Sequence, residues 1–163
     1  MRALVLGAET PVGRAIAAAL AEAGAQLALV AASTDAETAF AVQRLARRTG
    51  AVLSQAIDAT NEMAVRVMVR RVSKSLGGLD ALIFCADLGD STPAAVDIAM
   101  AYSNREFDRR GGGTFIAAVP QDTPAGIGEA PPGFDSMRVV KAEDAEAVAR
   151  RIVEALAGDS SGA

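Results

Sequence analysis

The stretch Ala3-Leu4-Val5-Leu6-Gly7-Ala8-Glu9-Thr10-Pro11-Val12-Gly13-Arg14-Ala15-Ile16-Ala17 constrains this chain more than any other. A short apolar run stops at a glycine, and a second glycine opens an alanine-rich amphipathic segment. The pattern predicts a strand that hands over to a helix within a few residues, leaving the helix's first N–H groups unpaired at the turn. Gly7 permits the sharp turn, and Gly13 lets the helix pack closely on the strand. Pro11 stands where another glycine usually allows close backbone approach to a ligand; it has no N–H to donate, although a first helical turn tolerates it. A helix start of this kind suits a diphosphate, which makes Gly7, Glu9, Thr10, Val12 and Gly13 candidate cofactor-binding residues. Plain turn chemistry is the other account of the glycines.

The same alternation of elements continues. Arg14 to Ala23 reads as a helix with Ile16, Ala17 and Leu20 on its apolar side, stopped by Gly24. Gln26 to Ala31 is nearly all apolar, as a strand buried on both faces requires, and completes a βαβ unit. A helix over Ala36–Thr49 carries Phe40, Val42, Leu45 and Ala46 on one side and ends at Gly50. Ala51–Ile57 is a third strand. In the helix Asn61–Leu76, the apolar residues Val65, Val67, Met68, Val69 and Val72 alternate with Arg66, Arg70, Arg71 and Lys74, read as a solvated face that favours the helix dipole. After Gly77-Gly78, Leu79–Ala86 gives the fourth strand. Pro93–Phe107 reads as a helix burying Ala94, Ile98, Met100 and Ala101, and Thr114–Val119 as a fifth strand. A Pro/Gly-rich loop over Gln121–Pro132 precedes a short strand at Arg138–Val140 and a last helix from Glu143 or Asp144 to Leu156. These elements predict one α/β domain over residues 1–157: a Rossmann-like, doubly wound parallel sheet of about five to six strands in three α/β/α layers. Residues 158–163 read as a flexible tail.

Composition narrows the chemistry. The 163 residues are 51% hydrophobic but only 4% aromatic, so the core must be aliphatic, as helices stacked on a parallel sheet use. A net charge of −4 with interspersed signs argues against a nucleic-acid surface. One cysteine, Cys85, excludes an internal disulfide, and the absence of histidine excludes imidazole-based metal sites and acid–base catalysis. No stretch reads as a signal peptide or membrane span, and a cytoplasmic protein with no membrane partner is expected.

Dinucleotide folds read the adenosine ribose at the end of the second strand, with an acid for NAD or a base for the 2′-phosphate of NADP. Here that corner is Ala31-Ala32-Ser33-Thr34-Asp35, with neither at the first two positions. Ser33 and Thr34 can hydrogen-bond a 2′-phosphate and Arg14 can reach it, so NADP is favoured over NAD. Alternatively Ser33, Thr34 or Asp35 caps the next helix.

The glycine turn resembles that of the short-chain dehydrogenase/reductase family, which opens Thr-Gly-x3-Gly-x-Gly: Gly7 and Gly13 match, Leu6 replaces the Thr and Pro11 the middle Gly. The resemblance continues at Asp58-Ala59, where the family's Asp contacts the adenine amine; capping of the helix at Asn61 by Asp58 or Thr60 is the other reading. It extends to Leu79-Asp80-Ala81-Leu82-Ile83, which in the family precedes an Asn-Asn-Ala-Gly turn beside the cofactor ribose. This chain has Phe84-Cys85-Ala86-Asp87 there, implying Cys85 and Ala86 as cofactor neighbours. Asp87 would repel a diphosphate, and Cys85 reads most simply as a small buried hydrophobe. Pro132-Gly133 resembles the family's Pro-Gly segment, whose hydroxyl residue, here Ser136, meets the nicotinamide carboxamide.

The resembled enzymes work through a Ser, and through a Tyr with a Lys four residues on. Val119-Pro120 ends the strand that would carry the Ser. The one tyrosine, Tyr102, is followed at that spacing by Glu106, and no Tyr-x3-Lys occurs. A carboxylate raises a phenol's pKa, opposing the needed shift. The expected function is therefore a short-chain dehydrogenase/reductase-like, NAD(P)-binding pseudoenzyme acting as a nucleotide sensor or regulatory subunit, alone or with a second copy or a full-length relative. One alternative is a scaffold that docks a partner on apolar surface left bare by the missing helices. Another is an oxidoreductase completed by a partner.

Overall fold

A computed structural model describes residues 1–119, 138–139 and 144–161. The elements run β1 (Arg2–Leu6), α1 (Pro11–Glu22), β2 (Gln26–Ala31), α2 (Ala36–Thr49), β3 (Leu53–Ala56), α3 (Glu62–Leu76), β4 (Ala81–Phe84), a 3-10 turn at Gly89–Ser91, α4 (Thr92–Asp108), β5 (Thr114–Ala118), β6 (Arg138–Val139) and α5 (Ala145–Ser161). Six parallel strands lie in the order β3-β2-β1-β4-β5-β6. The fold is thus the doubly wound α/β architecture expected. The order reverses between β1 and β4, and all strand C-termini meet one edge.

Each face of the sheet has its own apolar layer. Leu4, Leu6, Leu82, Phe84 and Phe115 point to α3 and α4, while Ala3, Val5, Leu29, Ile83 and Ile116 point to α1, α2 and α5. The strict alternation along β1 and β4 follows from the two-residue strand period. Only a run apolar at every position can fill both layers.

Helix ends follow local chemistry. Thr10, Asp35 and Asn61 accept N–H bonds at the starts of α1, α2 and α3, and Gly50 and Gly77 take left-handed conformations at the ends of α2 and α3. Asn61, rather than Asp58 or Thr60, caps α3: its Oδ1 accepts from the Ala64 N–H at 2.9 Å. Asp35 takes the cap of α2, leaving Ser33 and Thr34 outside it.

Several expectations fail. Helix α1 begins at Pro11, because Thr10 caps it three residues before Gly13. Phe40 is 60% exposed while Val42, Leu45 and Ala46 are buried. In α4 the buried set is Thr92, Ala95, Val96, Ala99, Met100, Ser103, Glu106 and Phe107, whereas Ala94 and Ala101 are exposed and Ile98 is half-buried. Alanines on both sides of this helix hide its phase. Helix α5 continues past Leu156 to Ser161, through residues expected in the tail. On β5, Phe115, Ile116, Ala117 and Ala118 are all buried. The loop 121–132 and the Pro132–Ser136 segment lie outside the described residues. No helix among the described residues is long and apolar enough to cross a membrane.

Candidate functional site

The C-terminal edge at the β1/β4 reversal is where an open α/β sheet holds a ligand. It is built here around the Gly7–Gly13 turn. Gly7 has φ +94°, and a Cβ on it would run into the backbone of Ala86 and Cys85. A Cβ on Gly13 would meet the Gly7 carbonyl oxygen, Ala8 Cα and Cys85 Sγ. Both glycines are therefore required by chain against chain, at the point where β1 and β4 give way to their turns.

Thr10 ties this junction. Its hydroxyl lies 3.0 Å from the carbonyl oxygens of Gly7 and Cys85, to which it donates, and accepts from the Gly13 N–H at 3.0 Å. Pro11 has no N–H, and Gly13's is occupied by Thr10. Among the described residues the Val12 amide remains without a partner, whereas the Glu9 N–H faces its own carboxylate. The turn keeps the helix-start field for an anion while offering it fewer donors than a three-glycine loop.

Glu9 lies where its place in the sequence does not suggest. Its carboxylate reaches the end of β2, where Oε1 and Oε2 accept the Ala32 N–H at 3.2 and 3.3 Å. Half-buried there, the carboxyl is pushed above its ordinary pKa by desolvation, an effect that hydrogen bonds from its own backbone N–H and from Ala32 partly offset. The Arg14 guanidinium donates through one terminal nitrogen to the Glu9 backbone oxygen at 3.0 Å.

The opposite lip carries Ser33, Thr34, Asp58 and Ala59. Ser33 Oγ accepts the Asp35 N–H at 3.2 Å, and Thr34 is exposed. Asp58 is exposed, and Thr60 donates to it from its hydroxyl at 2.6 Å and its N–H at 2.9 Å, which lowers its pKa. Ala59 is buried, its N–H on the Ala32 carbonyl at 3.3 Å. Backbone bonds thus place Ala32 between the Asp58-Ala59 corner and Glu9.

Cys85 and Ala86 form the floor and are buried. The Cys85 thiol faces the Leu6 and Gly7 carbonyls at 3.4 Å and is driven far above its ordinary pKa by burial and by the Glu9 charge. It stays protonated and is no nucleophile. Asp87 is exposed and accepts the Gly89 N–H at 3.2 Å, which folds it onto its own loop.

Tyr102 does not join this site. Its hydroxyl donates to Glu62 Oε1 at 2.7 Å, which raises its pKa, and Arg105 lies over its ring at 4.8 Å from the centroid. Glu106 instead pairs with Arg70 and Arg109 at 3.3 and 3.4 Å. The helical spacing suggested Tyr102 beside Glu106, but the hydroxyl reaches across to α3. Among the described residues no group of three Cys, Asp or Glu could hold a metal ion.

The assembled residues fit the adenosine diphosphate half of a dinucleotide: a helix start with a free Val12 amide, and an acceptor at the ribose corner. Sequence reasoning missed the Glu9–Ala32 contact. Its one signal was the pair of side-chain-poor alanines that leaves this corner open.

The family model described as short chain dehydrogenase matches residues 1–115. Among solved structures, the NADPH-dependent 3-quinuclidinone reductase from Rhodotorula rubra is 25% identical with a TM-score of 0.62 over 72% of this chain and 51% of its own. This chain thus spans about half the length of that enzyme. A short-chain type dehydrogenase/reductase from Mycobacterium marinum is 24% identical with a TM-score of 0.65, covering 99% of this chain and 69% of its own. A metagenomic short-chain oxidoreductase solved in complex with NADP is 18% identical, with a TM-score of 0.76, over 96% and 90% of the two chains. No curated protein matches by sequence.

Proposed function

The chain belongs to the short-chain dehydrogenase family, and on that premise we propose that it binds NADP or NAD at the Gly7–Gly13 turn without catalysing hydride transfer, as a nucleotide sensor or regulatory subunit. The observation that carries this reading is the contrast between a preformed turn, with Thr10 fixing the start of α1 and the Val12 amide free, and a tyrosine committed to Glu62. The Gly7–Gly13 turn and the Ala32 and Asp58-Ala59 corner would hold a nicotinamide dinucleotide, whose chemistry would be hydride transfer, left unused in the proposed role. What this chain contributes is the α1 start for the diphosphate, the β2 corner for the ribose and the Asp58-Ala59 lip for the adenine. No Tyr-x3-Lys is present to move the accompanying proton.

Titration of the purified chain with NADH and NADPH, followed by nicotinamide fluorescence, tests the reading. Saturable binding without turnover of any compound in a carbonyl panel is expected. Loss of both affinities at millimolar ligand overturns the reading; turnover overturns its non-catalytic part and favours an oxidoreductase completed by a partner.

One observation favours a second reading, a scaffold that docks a partner without nucleotide. Both glycines are accounted for by packing within the chain, and Pro11 and the capped Gly13 leave the turn poor in donors. Co-purification with a second copy or a full-length relative, without dinucleotide affinity, is its signature.

A further inference from the structure

The end of β2 carries no side chain that can tell one ribose from another, since Ala31 and Ala32 are buried methyl groups. The Glu9 carboxylate has come to that corner from a different strand's turn. It is held by the Ala32 N–H at 3.2 and 3.3 Å. Its own backbone N–H also bonds it; a carboxylate offers about four lone-pair positions, so part of its accepting capacity is left for a ligand. Ribose hydroxyls are donors and match it; a 2′-phosphate is a multiply charged acceptor and does not.

The surroundings do not neutralise this charge. Arg14, on α1, binds the backbone oxygen of Glu9 and forms no ion pair with its carboxylate among the described residues. The loop after β2 adds Asp35, bonded to Thr38 with its pKa lowered. The loop after β3 adds Asp58, likewise lowered by Thr60. Carboxylates thus stand in the turns after β1, β2 and β3, all at the C-terminal edge of the sheet.

We propose that Glu9 is the residue that sets cofactor choice in this chain: it replaces an acid at the end of β2 and makes the turn accept a dinucleotide with a free adenosine 2′-hydroxyl, NAD, and reject NADP. This rests on the dinucleotide reading above. It reverses the preference for NADP suggested by Ser33, Thr34 and Arg14, and departs from the NADPH dependence of the Rhodotorula rubra reductase.

The test is a pair of fluorescence titrations, NADH and NADPH, on the full chain and on its Glu9→Gln variant. The amide oxygen of Gln can still accept the Ala32 N–H, and far-UV circular dichroism and the melting temperature check that the turn survives. The unsubstituted chain is expected to bind NADH about tenfold or more tightly than NADPH, and Glu9→Gln to bring the two within about threefold, mainly by improving NADPH. Glu9→Ala, which removes the carboxylate without offering an amide, should narrow the ratio in the same direction. Equal binding, or preference for NADPH, in the unsubstituted chain overturns the role of Glu9 while leaving the dinucleotide reading intact. An unchanged preference for NADH in both variants also overturns it. Failure of all three proteins to bind either nucleotide overturns the dinucleotide reading itself.

Discussion

The two ends of the central strands handle charge in opposite ways. At the N-terminal edge, Asp80 accepts from the Arg2 N–H, Nε and a terminal guanidinium nitrogen at 2.8–2.9 Å, and the other terminal nitrogen of Arg2 donates to the Gly77 carbonyl at 2.7 Å. Each partner favours the other's charged form, raising Arg2 and lowering Asp80. At the C-terminal edge, Glu9 has two backbone N–H groups, its own and Ala32's, and no ion pair among the described residues, and burial raises it. A closed ion pair stabilises the fold and has nothing left to offer. An acceptor with free lone pairs is less favourable for the fold and available to a ligand.

That contrast can be broken by substitution, most severely at the backbone. Gly7→Ala forces a side chain at φ +94° into the Ala86 and Cys85 backbone and should cost about 3 kcal/mol or more in urea denaturation. Gly50→Ala is the control: φ is +69° but the space is open, so a loss of about 1 kcal/mol is expected.

Thr10→Val removes the cap of α1 and the link to the Cys85 carbonyl. A loss of about 1–2 kcal/mol should accompany faster amide exchange at Gly13. At the other end, Asp80→Asn should cost about 1 kcal/mol near pH 7, since the pair is part-exposed. Asp80's folded pKa lies below its unfolded one. Its contribution is therefore complete above the unfolded pKa and lost as pH falls through the folded value, so the difference between variant and parent should begin to shrink below about pH 4 and vanish only below the lowered folded value.

The smallest effect has the opposite sign. Glu9→Gln should be neutral or stabilising near pH 7, by less than about 1 kcal/mol once solvent screening is allowed for. Because Glu9's folded pKa is raised, its cost grows as pH rises from the unfolded to the folded value and is constant above it. Stability curves of variant and parent should converge on acidification through that window. A Glu9→Gln variant clearly less stable than its parent would erase the contrast between the two edges.

The sequence made the first βαβ unit legible because its requirements are local: Gly7 and Gly13 answer to sterics within the turn, and β2 and β4 answer to burial on both faces. The phase of α4 was not legible, since Ala95 and Ala99 inside differ in no way from Ala94 and Ala101 outside. Among Asp58, Thr60 and Asn61, three competent caps in four residues, only backbone geometry selects Asn61. The site divides similarly. Its backbone frame could be read from spacing, whereas the Glu9–Ala32 and Tyr102–Glu62 contacts join residues whose proximity depends on the assembled layers.

Helix α1 packs against α5, and Ile16, Leu20, Val148, Ile152 and Leu156 share one buried cluster. A helix near the start of this domain is thus completed by one more than a hundred residues further along the chain. Until α5 arrives, a nascent chain carries α1's apolar stripe uncovered, a binding site for chaperones and a point of access for proteases. A chain from which α5 is cut away after β5 would therefore leave Ile16 and Leu20 without the Val148, Ile152 and Leu156 side chains that cover them.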